Sequence, residues 1–192
     1  MNDIPLIFFV IFSAFTVNLV LQCAIGINAG PGNTDKKLTL IKLGIIFIAV
    51  LILWSVFSGI ISSVISGIFI YVLLFPVGFM VYNGLEYLIF RYLLKQNPEN
   101  TRSVTFPGGI TVMALFICIN IANDFLEAAA LAFGFAAGIL LVYLILGEIR
   151  RRAALEAVPR FLRGKPLILI SMGMLSLIFS TASLLLFRMI GN

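Results

Sequence analysis

The sequence contains no histidine and only two cysteines among its 192 residues. The commonest metal ligand and physiological acid–base group is therefore missing, and no P-loop, nucleotide fingerprint or catalytic triad takes its place. Charge is scarce as well. Eight acids and 13 bases make up 11% of the chain, where a soluble domain carries about 25%. So few charges cannot cover a water-soluble body of this length, which excludes soluble Rossmann, TIM-barrel and kinase architectures. What the chain has instead is apolar sequence: 61% of its residues are hydrophobic. A membrane helix needs ~20 apolar residues, so six spans would use ~120 and leave short loops.

The position of the bases fixes the number of spans. Lys36, Lys37 and Lys42 form one cluster, Arg91, Lys95 and Arg102 a second, and Arg150, Arg151, Arg152, Arg160, Arg163 and Lys165 a third. Only Arg188 stands apart. The 48 residues from Leu43 to Phe90 contain no Lys or Arg, nor do the 47 from Ser103 to Ile149. Each gap holds two spans of ~20 residues and is too long for one. Turn residues mark both middles: Ser58, Gly59, Ser62, Ser63, Ser66 and Gly67 in the first, Asn120, Asn123 and Asp124 in the second. With one span in each flank, all three basic loops fall on one face. Short Lys/Arg-rich loops stay cytoplasmic, which places both termini outside. The +5 net charge is thus read as a topology signal and not as a nucleic-acid footprint. Met1–Pro5 has no basic residue and no small-residue cleavage site follows, so a cleavable signal peptide is not expected.

The fold class that follows is all-α integral membrane: one six-helix domain over 1–192, in halves of about 1–100 and 101–192. Clean spans are expected near 38–58, 64–90, 125–149 and 166–189. The first and fourth spans differ. The first starts near Ile4, carries Asn18 and Gln22, and meets Gly26, Asn28, Gly30, Pro31 and Gly32. The fourth begins at Pro107-Gly108-Gly109 and carries Thr111, Cys118 and Asn120. Three crossings per half make the second half run opposite to the first. Broken helices in corresponding positions of inverted halves point to a functional midplane site, so both are expected to be broken. Close packing through small residues is the alternative use of the same glycines.

Most carboxylates lie at loops: Asp3, Asp35, Glu99, Asp124, Glu127 and Glu156. Glu148 stands next to three arginines and is expected to pair with them. Glu86 lies within the third span, with Asn83 a turn earlier. An ionisable residue there is a functional candidate by default; the plainer reading is an ion pair with Arg91 or Lys95. Glu86, Asn18, Gln22 and Thr111 are the candidate ion-path groups. Cys23 and Cys118 each fall on an odd span, ~20 and ~24 Å from the basic face at 1.5 Å per residue. Two cysteines supply half the thiolates of a four-cysteine iron–sulfur cluster.

Several motifs resemble a known family. They are Phe125-Leu126, Phe133 through Gly138, Ile149-Arg150, Val158-Pro159 with Arg163-Gly164, and Gly173 through Leu177. Asn18 through Leu21, Gly26 and Lys36-Lys37-Leu38 fit in the first half. These keep the order and near spacing of the Rnf/Nqr-type integral membrane subunits, the group of RnfA, RnfE, NqrD and NqrE. The resemblance implies six helices in two inverted three-helix halves in a bacterial-type cytoplasmic (inner) membrane. It also implies a complex that passes electrons among NADH, ferredoxin and quinone while moving Na⁺ or H⁺. The implied partners are an oppositely oriented homologous six-helix subunit, the redox subunits and the lipid bilayer.

The resemblance further implies one cysteine in each broken helix, two paired subunits together holding a [2Fe–2S] cluster. Here Gly26-Ile27 is followed by Asn28, and Pro107 through Val112 leads into Met113, so both family positions lack the thiol. Cys23 and Cys118 are each five residues away, both displaced toward the outer face. Two readings stay open: a concerted shift of the ligand pair, turned by ~140° at 100° per residue, or two apolar cysteines. The function expected is a membrane subunit of such a complex, with a small secondary transporter or channel, or a cofactor-free scaffold subunit, as alternatives.

Overall fold

The computed structural model describes residues 6–22, 36–61, 68–93, 95, 107–155, 159 and 165–190. Among the described residues there is no strand. That is what a lipid solvent dictates, because continuous apolar runs must satisfy every backbone N–H and C=O within the segment.

The first span is built in pieces: α1 (Leu6–Ile11), a π-helical turn (Phe12–Thr16), a break at Val17 and Asn18, then α2 (Leu19–Gln22). Next comes α3 (Lys36–Val56), which runs into a second π turn (Phe57–Ile61). The third span is α4 (Ile68–Leu88), with Pro76 inside it, ending in the π turn Ile89–Leu93. Then come α5 (Pro107–Ile121), α6 (Phe125–Leu155) and α7 (Lys165–Ile190). Six spans result, and α3, α4, α6 and α7 are long and apolar enough to cross a membrane. The protein is multi-pass.

The first and fourth spans are the short ones, with apolar stretches Leu6–Leu21 and Gly108–Ile121. The 15 residues of α5 reach ~22 Å at 1.5 Å per residue, against a hydrocarbon core of ~30 Å. The expectation of a broken fourth span is corrected here, since α5 is continuous from Pro107 onward. Proline at the first helical position lacks only an N–H that the helix would leave unpaired anyway. In the first span the observed break is at Val17–Asn18; the Gly26–Gly32 stretch lies outside the described residues. The fifth span also outruns its expected end at 149 and continues to Leu155. Arg151 and Arg152 pair with Glu148 across one helical turn, at 3.1 Å each, and bases suit a helix C-terminus.

The core forms around α6. It packs against α1, the first π turn, α2, α3, α5 and α7, while α3 packs on α4 and α5, and α4 on α5. Leu131, Phe135, Ile139 and Val142 line its buried side. In contrast, α4 and α7 turn much of their surface outward, through Val72, Phe75 and Met80, and through Met174, Leu177 and Leu184. Such faces suit lipid, whose tails are as apolar as leucine. The turn between α5 and α6 is pinned by polar and aromatic contacts. The Tyr71 hydroxyl donates to Asn120 Oδ1 at 2.9 Å, Glu127 Oε2 accepts the Asn123 backbone N–H at 2.8 Å, and Trp54 meets the Phe125 ring.

Candidate functional site

Two places carry polar chemistry inside the bundle. The first is the break in the opening span. Ser13, fully buried in the π turn, donates to the Phe9 carbonyl at 2.8 Å, and the Val17 N–H reaches back to the Phe12 carbonyl at 3.1 Å. Val17 then leaves helical geometry, at φ −112 and ψ 48. Asn18 restarts the helix. Its Oδ1 accepts the N–H groups of Val20 and Leu21, at 3.2 and 3.4 Å, and its Nδ2 donates to the Ala14 carbonyl at 3.0 Å. One side chain, 1% exposed, thus caps the new helix and ties it to the old one. An N-cap asparagine does this by satisfying N–H groups that have no partner within the helix.

The floor under this break is α6. A Cβ on Gly134 would sit 1.9 Å from Ser13 Oγ and 2.5 Å from the Val10 carbonyl oxygen. One on Gly138 would sit 2.7 Å from the Ala14 carbonyl oxygen and 3.0 Å from Asn18 Nδ2. Only glycine lets the two backbones approach so closely. Non-helical backbone in a membrane must be buried in protein or line a cavity, and here protein buries it. The Gly134-x-x-x-Gly138 spacing was the sequence signal for this contact, and Ser13 gave none.

The second place joins α3 to α4. Lys42 Nζ lies 3.3 Å from Glu86 Oε1, with side-chain exposures of 7% and 23%. The partner expected from sequence was Arg91 or Lys95 on the same helix, and this is corrected. Arg91 instead turns to the exposed Tyr87 hydroxyl one turn earlier. Asn83 is exposed and belongs to another face of α4. Lys42 reads in the sequence as one more base of its loop cluster and not as a site residue. Its distance past Lys36-Lys37, six positions into α3, was the available signal.

The remaining candidates divide as follows. Thr111 is fully buried in α5. Gln22 closes α2, with its side chain outside the described residues, and Cys23 and Asn28 lie outside them altogether. Cys118 is a fully buried member of the apolar core, whereas Met113 is half-buried on a different side of α5. A cluster shared between two subunits needs thiolates on a face the partner can reach. A core thiol and a thioether do not fit that group, and no step is routed through it. Among the described residues no group of three or more His, Cys, Asp or Glu is placed to hold a metal ion.

The chain is 28% identical over 177 residues to a curated protein of Yersinia enterocolitica, named as the RnfA subunit of an ion-translocating oxidoreductase complex. That alignment covers 84% of this chain and 88% of the relative. Proteins of the same name from Yersinia pestis and Photorhabdus laumondii match at the same identity and coverage. No family model matches the chain.

Proposed function

We propose a function on the premise that the chain is a divergent relative of the Rnf/Nqr-type integral membrane subunits, the family its motifs resemble. It serves as a membrane subunit of an ion-translocating oxidoreductase complex in a bacterial-type cytoplasmic membrane. There it pairs with an oppositely oriented homologous six-helix subunit, its three basic loops cytoplasmic and both termini outside. The observation that carries this reading is the extent of the similarity, which runs through most of both chains and therefore goes well beyond one shared motif.

We read the six spans as two inverted halves, and the packing supports this. Exchanging the first span with α5, α3 with α6, and α4 with α7 maps neighbours onto neighbours. The contact of α3 with α6 maps onto itself, that of α4 with α5 onto α7 with the first span, and that of α3 with α5 onto α6 with the first span. The exchange also matches the two short spans with each other. Within such a pair of halves, Asn18, Gln22 and Thr111 mark the side of the ion path. The chain's part is positioning and gating. With Asn28 and Met113 at the family's ligand positions and Cys118 sealed in the core, it holds no [2Fe–2S] cluster of its own.

Affinity purification of the chain from its native membrane tests this reading. Co-purification of flavin-bearing redox subunits and a homologous six-helix subunit supports it. An isolated homodimer that moves solute in liposomes without a redox donor overturns it in favour of a secondary transporter.

A further inference from the structure

We propose that α4 carries a cation site whose resident occupant is the Lys42 ammonium, so that an alkali cation such as Na⁺ enters only when that ammonium is gone. Tyr82, Glu86 and Phe90 recur every fourth residue on α4 and so share one face. Lys42 reaches that face from α3. Its Nζ lies 3.3 Å from the Glu86 carboxylate and 5.9 Å from the centroid of the fully buried Phe90 ring. A cation within about 6 Å of a ring centroid is attracted by the negative face. One turn deeper, the Tyr82 hydroxyl is fully buried and has no hydrogen-bond partner among the described residues. Buried hydroxyls nearly always have one, so this oxygen marks an acceptor for an occupant that the residues around it do not supply.

A carboxylate, an aromatic face and an unpartnered phenol oxygen on one stripe are the groups that bind a small hard cation. The elements packed here bring little other charge. Lys42 is the charge α3 presents to this face, Arg91 of α4 is exposed and engaged with Tyr87, and α5 has no charged residue from Pro107 to Ile121. A carboxylate in so apolar a place requires a compensating cation, and the lysine provides one that cannot diffuse away. The site lies within the chain itself and does not depend on membership in a complex.

The test is thermal unfolding of the purified full-length chain, with NaCl replacing choline chloride at constant ionic strength. Wild type melts at the same temperature throughout. Lys42→Met melts several degrees lower in choline, and NaCl restores most of the loss along a saturable curve. Lys42→Met combined with Glu86→Gln loses the sodium response. A saturable sodium response in wild type that Glu86→Gln abolishes overturns the proposal, as does a Lys42→Met variant blind to sodium. Should Lys42→Met fail to fold, Lys42→Gln keeps a hydrogen-bond donor without the charge and is judged by the same outcomes.

Discussion

Gly134 of α6 lies directly against Ser13 of the first span, so close that a Cβ would stand 1.9 Å from the serine hydroxyl. The Val10 carbonyl, at 2.5 Å from the same point, is backbone and cannot swing aside. Gly134→Ala should therefore force the first span off α6, at an overpacking cost of about 1–3 kcal/mol. Gly44→Ala and Gly84→Ala are the controls, because a Cβ at either position meets nothing within 4 Å. Each should be neutral or stabilising by up to about 1 kcal/mol, the gain of alanine over glycine within a helix. Thermal unfolding in detergent separates the two classes.

Asn18 holds three backbone groups with one side chain. Asn18→Leu removes an N-cap worth about 1 kcal/mol and leaves buried polar groups unpaired, at about 1–3 kcal/mol more. Hydrogen exchange at the Val20 and Leu21 amides should speed up more than at α6 amides. Asn18→Ser, which keeps a capping oxygen, should recover part of the protection. Equal exchange in wild type and Asn18→Leu would mean that α2 is held by packing alone.

Cys118 is predicted to be a packing residue. Cys118→Ala should leave the iron and flavin content of the purified complex unchanged, and the native thiol should resist alkylation until the chain unfolds. Loss of iron in this variant would restore the shifted-ligand reading.

The topology is open to reporter fusions. A reporter joined after Leu155, beyond the arginines that pair with Glu148, should read cytoplasmic. One joined after Asn192 should read outside. The opposite pattern would invert the assignment made from the basic loops.

How much of this was legible in the sequence depends on the range of the interaction. The spans followed from local facts, namely long runs without Lys or Arg and a turn signal in each. The oddness of the first and fourth spans was legible from Asn18 and from Pro107-Gly108-Gly109. The kind of irregularity was not. Proline and glycines at the start of α5 fit its first turn, while Ser13 and Asn18 break the first span by supplying bonds that the backbone ladder would otherwise make. Glu148 was assigned its arginines because they are three and four residues away. Glu86 was matched to its own helix because nothing local indicates that Lys42, 44 positions earlier, lies across the α3–α4 contact.

The central claim is that this chain works inside a redox-driven ion translocase. It is tested most directly in inverted membrane vesicles from cells lacking the chain, given NADH or reduced ferredoxin, with Na⁺ and H⁺ uptake followed. The account predicts that donor-driven uptake of one of these ions is lost without the chain and returns when it is supplied from a plasmid. Uptake that is the same with and without the chain would contradict it.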